Sequence, residues 1–138
     1  MIAYVDSSVL LRIVLRQPGA LREWKRIRQA VASALVEVEC LRTLDRLWIR
    51  AGLTDRDIAA RRQAVFQLLQ EMEVVEPTRP ILSRAAQPLP TELGTLDAIH
   101  LATAILWRES ETDLVMATHD AALGLAAQAS GLPVIGVA

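Results

Sequence analysis

Ile2-Ala3-Tyr4-Val5-Asp6-Ser7-Ser8 decides how the rest of the chain is read. A short apolar, β-prone run ends at an acid, and two hydroxyl residues that cap helices well follow it. The stretch predicts a strand over residues 2–6 that turns directly into a helix from Ser8 to Leu15, broken at Pro18-Gly19. The alternation then continues. A helix is expected from about Ala20 to Gln29, a buried strand from Ala30 to Ser33, and a long helix from Leu35 to Arg50 closed by Gly52. Thr54 with Asp57 three residues on resembles a capping box and opens a helix reaching Gln70. Met72 to Glu76 reads as strand, Arg79 to Ala86 as helix, and Pro88 and Pro90 mark a loop. Thr95 to Arg108 is helical, Leu114 to Ala117 strand, Asp120 to Ser130 helical, and Pro133 to Val137 a closing strand. Strands alternating with helices imply a parallel sheet covered on both faces. The expected fold class is therefore α/β, three α/β/α layers around a mainly parallel sheet of about five strands.

Composition bounds the rest. A chain of 138 residues with 52% apolar content has material for one core, so residues 1–138 are expected to form a single domain. The single cysteine, Cys40, excludes an intramolecular disulfide and a Cys-based zinc cage, which suits a reducing compartment. No apolar run approaches the roughly 18 residues a membrane span needs. The opening MIAYVDSSVL lacks the charged n-region and long apolar core of a signal peptide, so the expected location is the cytoplasm, with no membrane partner. The net charge of −1 conceals an asymmetry: residues 1–70 carry 12 Lys/Arg against 7 Asp/Glu, residues 71–138 carry 3 against 9. That division permits a basic face for a phosphate backbone beside an acidic pocket, and equally an ordinary set of solvated helix faces.

Four acids invite a chemical reading. In open parallel sheets ligands collect beyond the carboxyl ends of strands, where Asp6 and Asp120 both fall, although either can serve simply as a helix N-cap. Asp97 interrupts the apolar helix Leu96-Asp97-Ala98-Ile99-His100-Leu101-Ala102-Thr103-Ala104. A buried carboxylate there needs an arginine, a proton or a cation beside it. On the helix beginning at Leu35, Glu39 shares a charged stripe with Arg42, Arg46 and Arg50, while Glu37 projects towards Leu41, Leu44 and Trp48; periodicity does not choose between the two glutamates. Trp24, Trp48 and Trp107 read as packing residues.

Val5-Asp6-Ser7-Ser8-Val9-Leu10, Ser33-x-Leu35-x-x-x-Glu39-x-x-Arg42, Leu96 to Ala104, Thr118-His119-Asp120 and Gly131-Leu132-Pro133-Val134 follow one another in order across essentially the whole chain. Together they resemble the PIN-domain nucleases, and among those the toxins of bacterial VapBC toxin–antitoxin pairs. The chain departs from that pattern at its tail, where relatives often carry Pro-Gly and this sequence has Ile135-Gly136-Val137-Ala138. The resemblance selects Glu39 over Glu37. It implies an acidic quartet of Asp6, Glu39, Asp97 and Asp120, with Ser7 and Thr118 as hydroxyl helpers. It further implies an endoribonuclease that hydrolyses RNA phosphodiesters and inhibits translation or growth, a small cognate antitoxin, and a homodimer.

Converging carboxylates repel, and a divalent cation removes the conflict. An all-oxygen donor set suits Mg²⁺, with Mn²⁺ substituting. Asp6 and Asp97 are expected as ligands, Glu39 and Asp120 as ligands directly or through water. Water rather than the 2′-hydroxyl is then the nucleophile, so products carry 5′-phosphate and 3′-hydroxyl ends. Arg12 and Arg16, one turn apart, are candidates for steering phosphates. Three rival readings remain. His100 and His119 would support metal-free acid–base catalysis, which survives chelation. Asp6 could instead accept a phosphoryl group, although Ser8 stands where a haloacid-dehalogenase pattern wants a second Asp, and the only lysine, Lys25, lies too early for a receiver domain. The last is a catalytically silent binding module of the same fold.

Overall fold

The computed structural model describes residues 1–137; Ala138 lies outside the described residues. Strand β1 (Ile2–Val5) occupies the middle of a five-stranded sheet, because three of its four residues are buried and both of its edges are paired. β2 (Gln29–Ser33) lies in parallel on one side, with Tyr4 opposite Val31. β4 (Val115–Ala117) lies on the other, with Val5 opposite Ala117. β3 (Glu73–Val75) and β5 (Val134–Ile135) complete the order β3-β2-β1-β4-β5, every pairing parallel. This is the expected α/β class.

Side-chain alternation along the strands assigns the helices to faces. Ala3, Val5, Ala30 and Ala32 point into one core, closed by α1 (Ser7–Val14), α2 (Leu35–Ala51) and α3 (Asp55–Gln70) through Val9, Leu10, Cys40, Leu44, Ile58 and Val65. Tyr4, Val31 and Met116 point into the other, closed by α5 (Thr95–Arg108) and α6 (Ala121–Ala129) through Leu101, Ala104, Leu123 and Ala127. A short α4 (Arg79–Ala85), with proline in its first turn, leads into the loop before α5. Thr54 caps α3 as its sequence implies, its Oγ1 accepting the Asp57 N–H at 3.1 Å. Gly52 ends α2 in the left-handed region, φ 68°.

Three expectations need correcting. The helix placed at 20–29 is only a 3-10 turn at Trp24–Arg26. Tertiary pairing overrides the local pattern, because Gln29 is opposite Ile2 in the sheet and the Arg28 N–H donates to the Met1 carbonyl at 2.7 Å. The last strand is two residues rather than five, since Gly136 turns the chain away at φ 100°. Trp24 and Trp107 pack against the two cores, but Trp48 lies on the surface, 42% exposed, beside Ile49 and Phe66.

This strand order places the site. The chain works outward from β1 to β2 and β3, then returns to the far side of β1 for β4 and β5. Connections leave β1 and β4 in opposite directions, which opens a crevice at their carboxyl ends.

Candidate active site

Asp6 stands at the floor of that crevice, 4% exposed, the first residue beyond β1. It caps α1 by accepting the Val9 N–H at 3.4 Å. Its two oxygens are claimed separately: Ser8 Oγ donates to Oδ1 at 2.6 Å and Thr118 Oγ1 to Oδ2 at 2.7 Å. Each hydroxyl in turn accepts a backbone N–H from the turn after β4, Ser8 from His119 at 2.9 Å and Thr118 from Asp120 at 2.9 Å. With those N–H groups filling their acceptor sides, both hydroxyl protons point at Asp6, an arrangement that suits the carboxylate form. Burial pushes the Asp6 carboxyl above its ordinary value, and Ser8, Thr118 and the nearby His100 pull it part of the way back. The serine on Asp6 is thus Ser8; Ser7, the expected helper, opens α1 and makes no side-chain hydrogen bond among the described contacts.

Asp120 caps α6, its Oδ1 accepting the Ala122 and Leu123 N–H groups at 2.9 and 3.2 Å. The capping role foreseen for it is real, yet the same position carries its charge to the crevice, where it acts on Asp97. Asp97 lies in the first turn of α5, half-buried, and no side-chain hydrogen bond reaches it among the described residues. Its carboxyl is raised first by burial, then by the charge of Asp120, with Asp6 and Glu39 adding and His100 opposing. All four acids therefore share one electrostatic neighbourhood.

Glu39 lies in the second turn of α2, beyond the carboxyl end of β2. Periodicity had aimed Glu37 at the core, but the buried stripe of α2 is Val36, Cys40 and Leu44, and Glu37 is exposed. Arg42, the alternative partner for Glu39, pairs with Asp45 at 3.0 Å. Glu39 Oε1 instead meets Nε2 of His100 at 2.6 Å, and Nδ1 of that ring meets the Tyr4 hydroxyl at 2.7 Å. His100, 1% exposed, is a hydrogen-bonded core histidine, and its contact with Glu39 is what sequence reasoning did not foresee. One signal was available: it follows Asp97 by three residues and so lies on the same side of α5.

No arginine or lysine forms an ion pair with any of the four acids among the described residues. Of the three ways to tolerate Asp97, this leaves a proton or a cation. The donor set is carboxylate and hydroxyl oxygen, the chemistry Mg²⁺ and Mn²⁺ select. Among the described residues no three acidic, imidazole or thiol groups close into a ready-made cage. Mg²⁺ binds through one or two carboxylates and keeps its waters, so an open set of acids fits it. Cys40, next to Glu39, offers no thiolate: burial pushes its thiol up to about 12, with Glu39 and Asp6 adding.

The other named groups stand apart. Arg12 donates to the Gly19 carbonyl at 3.0 Å, and Arg16 ends α1 in the left-handed region at φ 54°. His119 is turned away, its ring Nδ1 on the Gly136 carbonyl at 2.8 Å.

This arrangement agrees with what the chain matches. The model of the PIN domain family covers residues 3–134. The chain belongs to the PIN-domain family. The PIN chain is 35% identical over 136 residues to Ribonuclease VapC46 of Mycobacterium tuberculosis, covering 96% of itself and 95% of that protein. It is 31% identical over 123 residues to Ribonuclease VapC47 of the same species, with 84% of each covered. In fold it resembles a toxin–antitoxin complex from Klebsiella pneumoniae, with a TM-score of 0.63, 20% identity and 86% of each chain covered. Among the described residues no helix of this PIN domain is long and apolar enough to cross a membrane.

Proposed function

We propose that this protein is a divalent-metal-dependent endoribonuclease, the toxin of a VapBC-type toxin–antitoxin pair. What supports the proposal is that the charges of Asp120, Asp6 and Glu39 all bear on Asp97, while no arginine or lysine forms an ion pair with any of the four among the described residues. The kinship with VapC46 and VapC47, both named as ribonucleases, supports RNA as the substrate.

Asp6 and Asp97 would hold Mg²⁺ or Mn²⁺, with Glu39 and Asp120 binding it directly or through water. When bound, the cation supplies charge neutralisation for the scissile phosphate and acidifies water for in-line attack. The protein's own part is preorganisation. Ser8 and Thr118 fix both oxygens of Asp6, and the α6 N-terminus fixes Asp120. Asp97, without such ties, is the acid that adjusts as charge enters the pocket.

A small antitoxin is the expected partner, consistent with the Klebsiella neighbour having been solved as a toxin–antitoxin complex. Its inhibitory segment would place a basic side chain among the four acids, competing with the cation. The VapC relationship also favours a homodimer and inhibition of translation or growth as the cellular outcome.

The test is incubation of the purified protein with structured RNA in Mg²⁺, in Mn²⁺ and in EDTA, with end-group analysis of products. Cleavage in either metal, none in EDTA, and 5′-phosphate ends are expected. Cleavage that persists in EDTA would favour the histidine scheme and overturn this one.

A further inference from the structure

The chain Tyr4–His100–Glu39 runs from the centre of the sheet to the rim of the crevice, and only its last member is an acid of the quartet. Tyr4 is fully buried on β1 and His100 nearly so on α5, with the two rings edge to face at 5.9 Å. Neither has freedom to reorient inside a close-packed core. Glu39, by contrast, sits on α2, a helix packed on the opposite face of the sheet, with its side chain mostly covered but reaching the surface. Glutamate is long enough to keep rotamer freedom at its tip unless it is tied down, and this one is held by a single bond at Oε1. Its other oxygen has no partner among the described residues and stays available.

Hydrogen-bond direction follows from the groups present. An ionised glutamate only accepts, so Nε2 of His100 carries the proton on that side. Burial holds the Tyr4 phenol well above its ordinary value, so it keeps its O–H beside Nδ1. With a proton on Nε2 the ring meets Glu39, while the Tyr4 hydroxyl holds it at Nδ1.

We infer that His100, fixed in orientation by Tyr4, is the positioning residue for Glu39. It anchors one carboxylate oxygen from across the sheet and leaves the other for the site. The inference rests on the nuclease reading for its consequence, and on the Tyr4–His100–Glu39 contacts for its geometry. Partners of this kind orient the groups that hold a cation, and losing one typically lowers affinity or activity by about 10–100-fold.

The experiment compares the native protein with His100→Leu, His100→Gln and Tyr4→Phe by three readouts. Ring-nitrogen NMR is simple to assign, since the chain has only two histidines. His100 should carry a proton on Nε2 in the native protein, and its ring resonances should shift and broaden in Tyr4→Phe as the ring loses its anchor at Nδ1. Mn²⁺ affinity, measured by paramagnetic titration, should fall by roughly 10-fold or more in His100→Leu and recover at least partly in His100→Gln, whose amide can still donate to Glu39. In RNA cleavage the loss should appear in kcat, with KM within about twofold of native. Should His100→Leu fail to fold, Tyr4→Phe and His100→Gln carry the comparison. Native Mn²⁺ affinity and kcat in His100→Leu, or an Nδ1–H tautomer in the native protein, would overturn the inference. A native protein that neither binds Mn²⁺ nor cuts RNA would overturn the nuclease reading instead, leaving the His100 contacts to be judged by NMR.

Discussion

The Thr118 hydroxyl donates to Oδ2 of Asp6 at 2.7 Å, joining the ends of β4 and β1 across the crevice. Both residues are buried, so the bond cannot be exchanged for one to water. Replacing Thr118 by Val keeps the shape and strands the carboxylate oxygen. The expected cost is about 1–3 kcal/mol of stability, with RNA cleavage reduced roughly 10–100-fold as Asp6 loses its orientation. Chemical denaturation and single-turnover cleavage check the two effects separately. Native values in both would show that Asp6 is held by other means.

Asp97 should impose a cost on the metal-free fold. Burial and the charge of Asp120 raise its carboxyl above the ordinary value, and burial raises Asp6 as well. The folded state therefore binds these protons more tightly than the unfolded chain does. Their stabilising contribution is complete below the ordinary carboxylate pKa and is lost as pH rises through the raised values. In EDTA, Asp97→Asn should melt higher than native protein at pH 7, by on the order of 2–4 °C, with the gap closing towards pH 4. It should also be inactive. Thermal melts at both pH values check this, and a lower melting point for Asp97→Asn at pH 7 would contradict it.

Gly136 is required where β5 passes the turn that carries Thr118. A Cβ there would lie 2.4 Å from the Thr118 carbonyl oxygen, and φ is 100°. Gly136→Ala is expected to cost about 1–3 kcal/mol and to lower cleavage by displacing Thr118 from Asp6. Denaturation combined with cleavage assays tests it; an unchanged rate would mean that the turn tolerates the shift.

Arg16 occupies a left-handed position that glycine suits better, closing α1 with the Gln17 N–H on the Arg12 carbonyl at 3.0 Å. Arg16→Gly should therefore stabilise the fold by up to about 1 kcal/mol. If Arg16 meets phosphate, the same change raises KM for RNA and flattens its salt dependence. Melting and cleavage at two ionic strengths separate these effects. A loss of stability would contradict the backbone account.

What the sequence reveals is what local rules govern. Asp6 is visible because it ends a strand, Asp120 because it follows one closely, and Asp97 because it interrupts an apolar helix. The layers follow from alternating patterns, and the Thr54 cap from spacing. Glu39 is different: its partner His100 lies 61 residues away, and no periodicity reports such a contact. The choice of Ser8 over Ser7 depends on how the chain turns at Asp6, which spacing of one residue does not resolve. The missing helix at 20–29 was lost to sheet pairing at Gln29, and pairing is likewise non-local.

The most direct test of the central claim is Mn²⁺ binding followed by electron paramagnetic resonance, in native protein and in Asp6→Asn and Asp97→Asn. The account predicts saturable binding by the native protein and its loss in both variants. Binding that is absent from the native protein, or equal in all three, would contradict it.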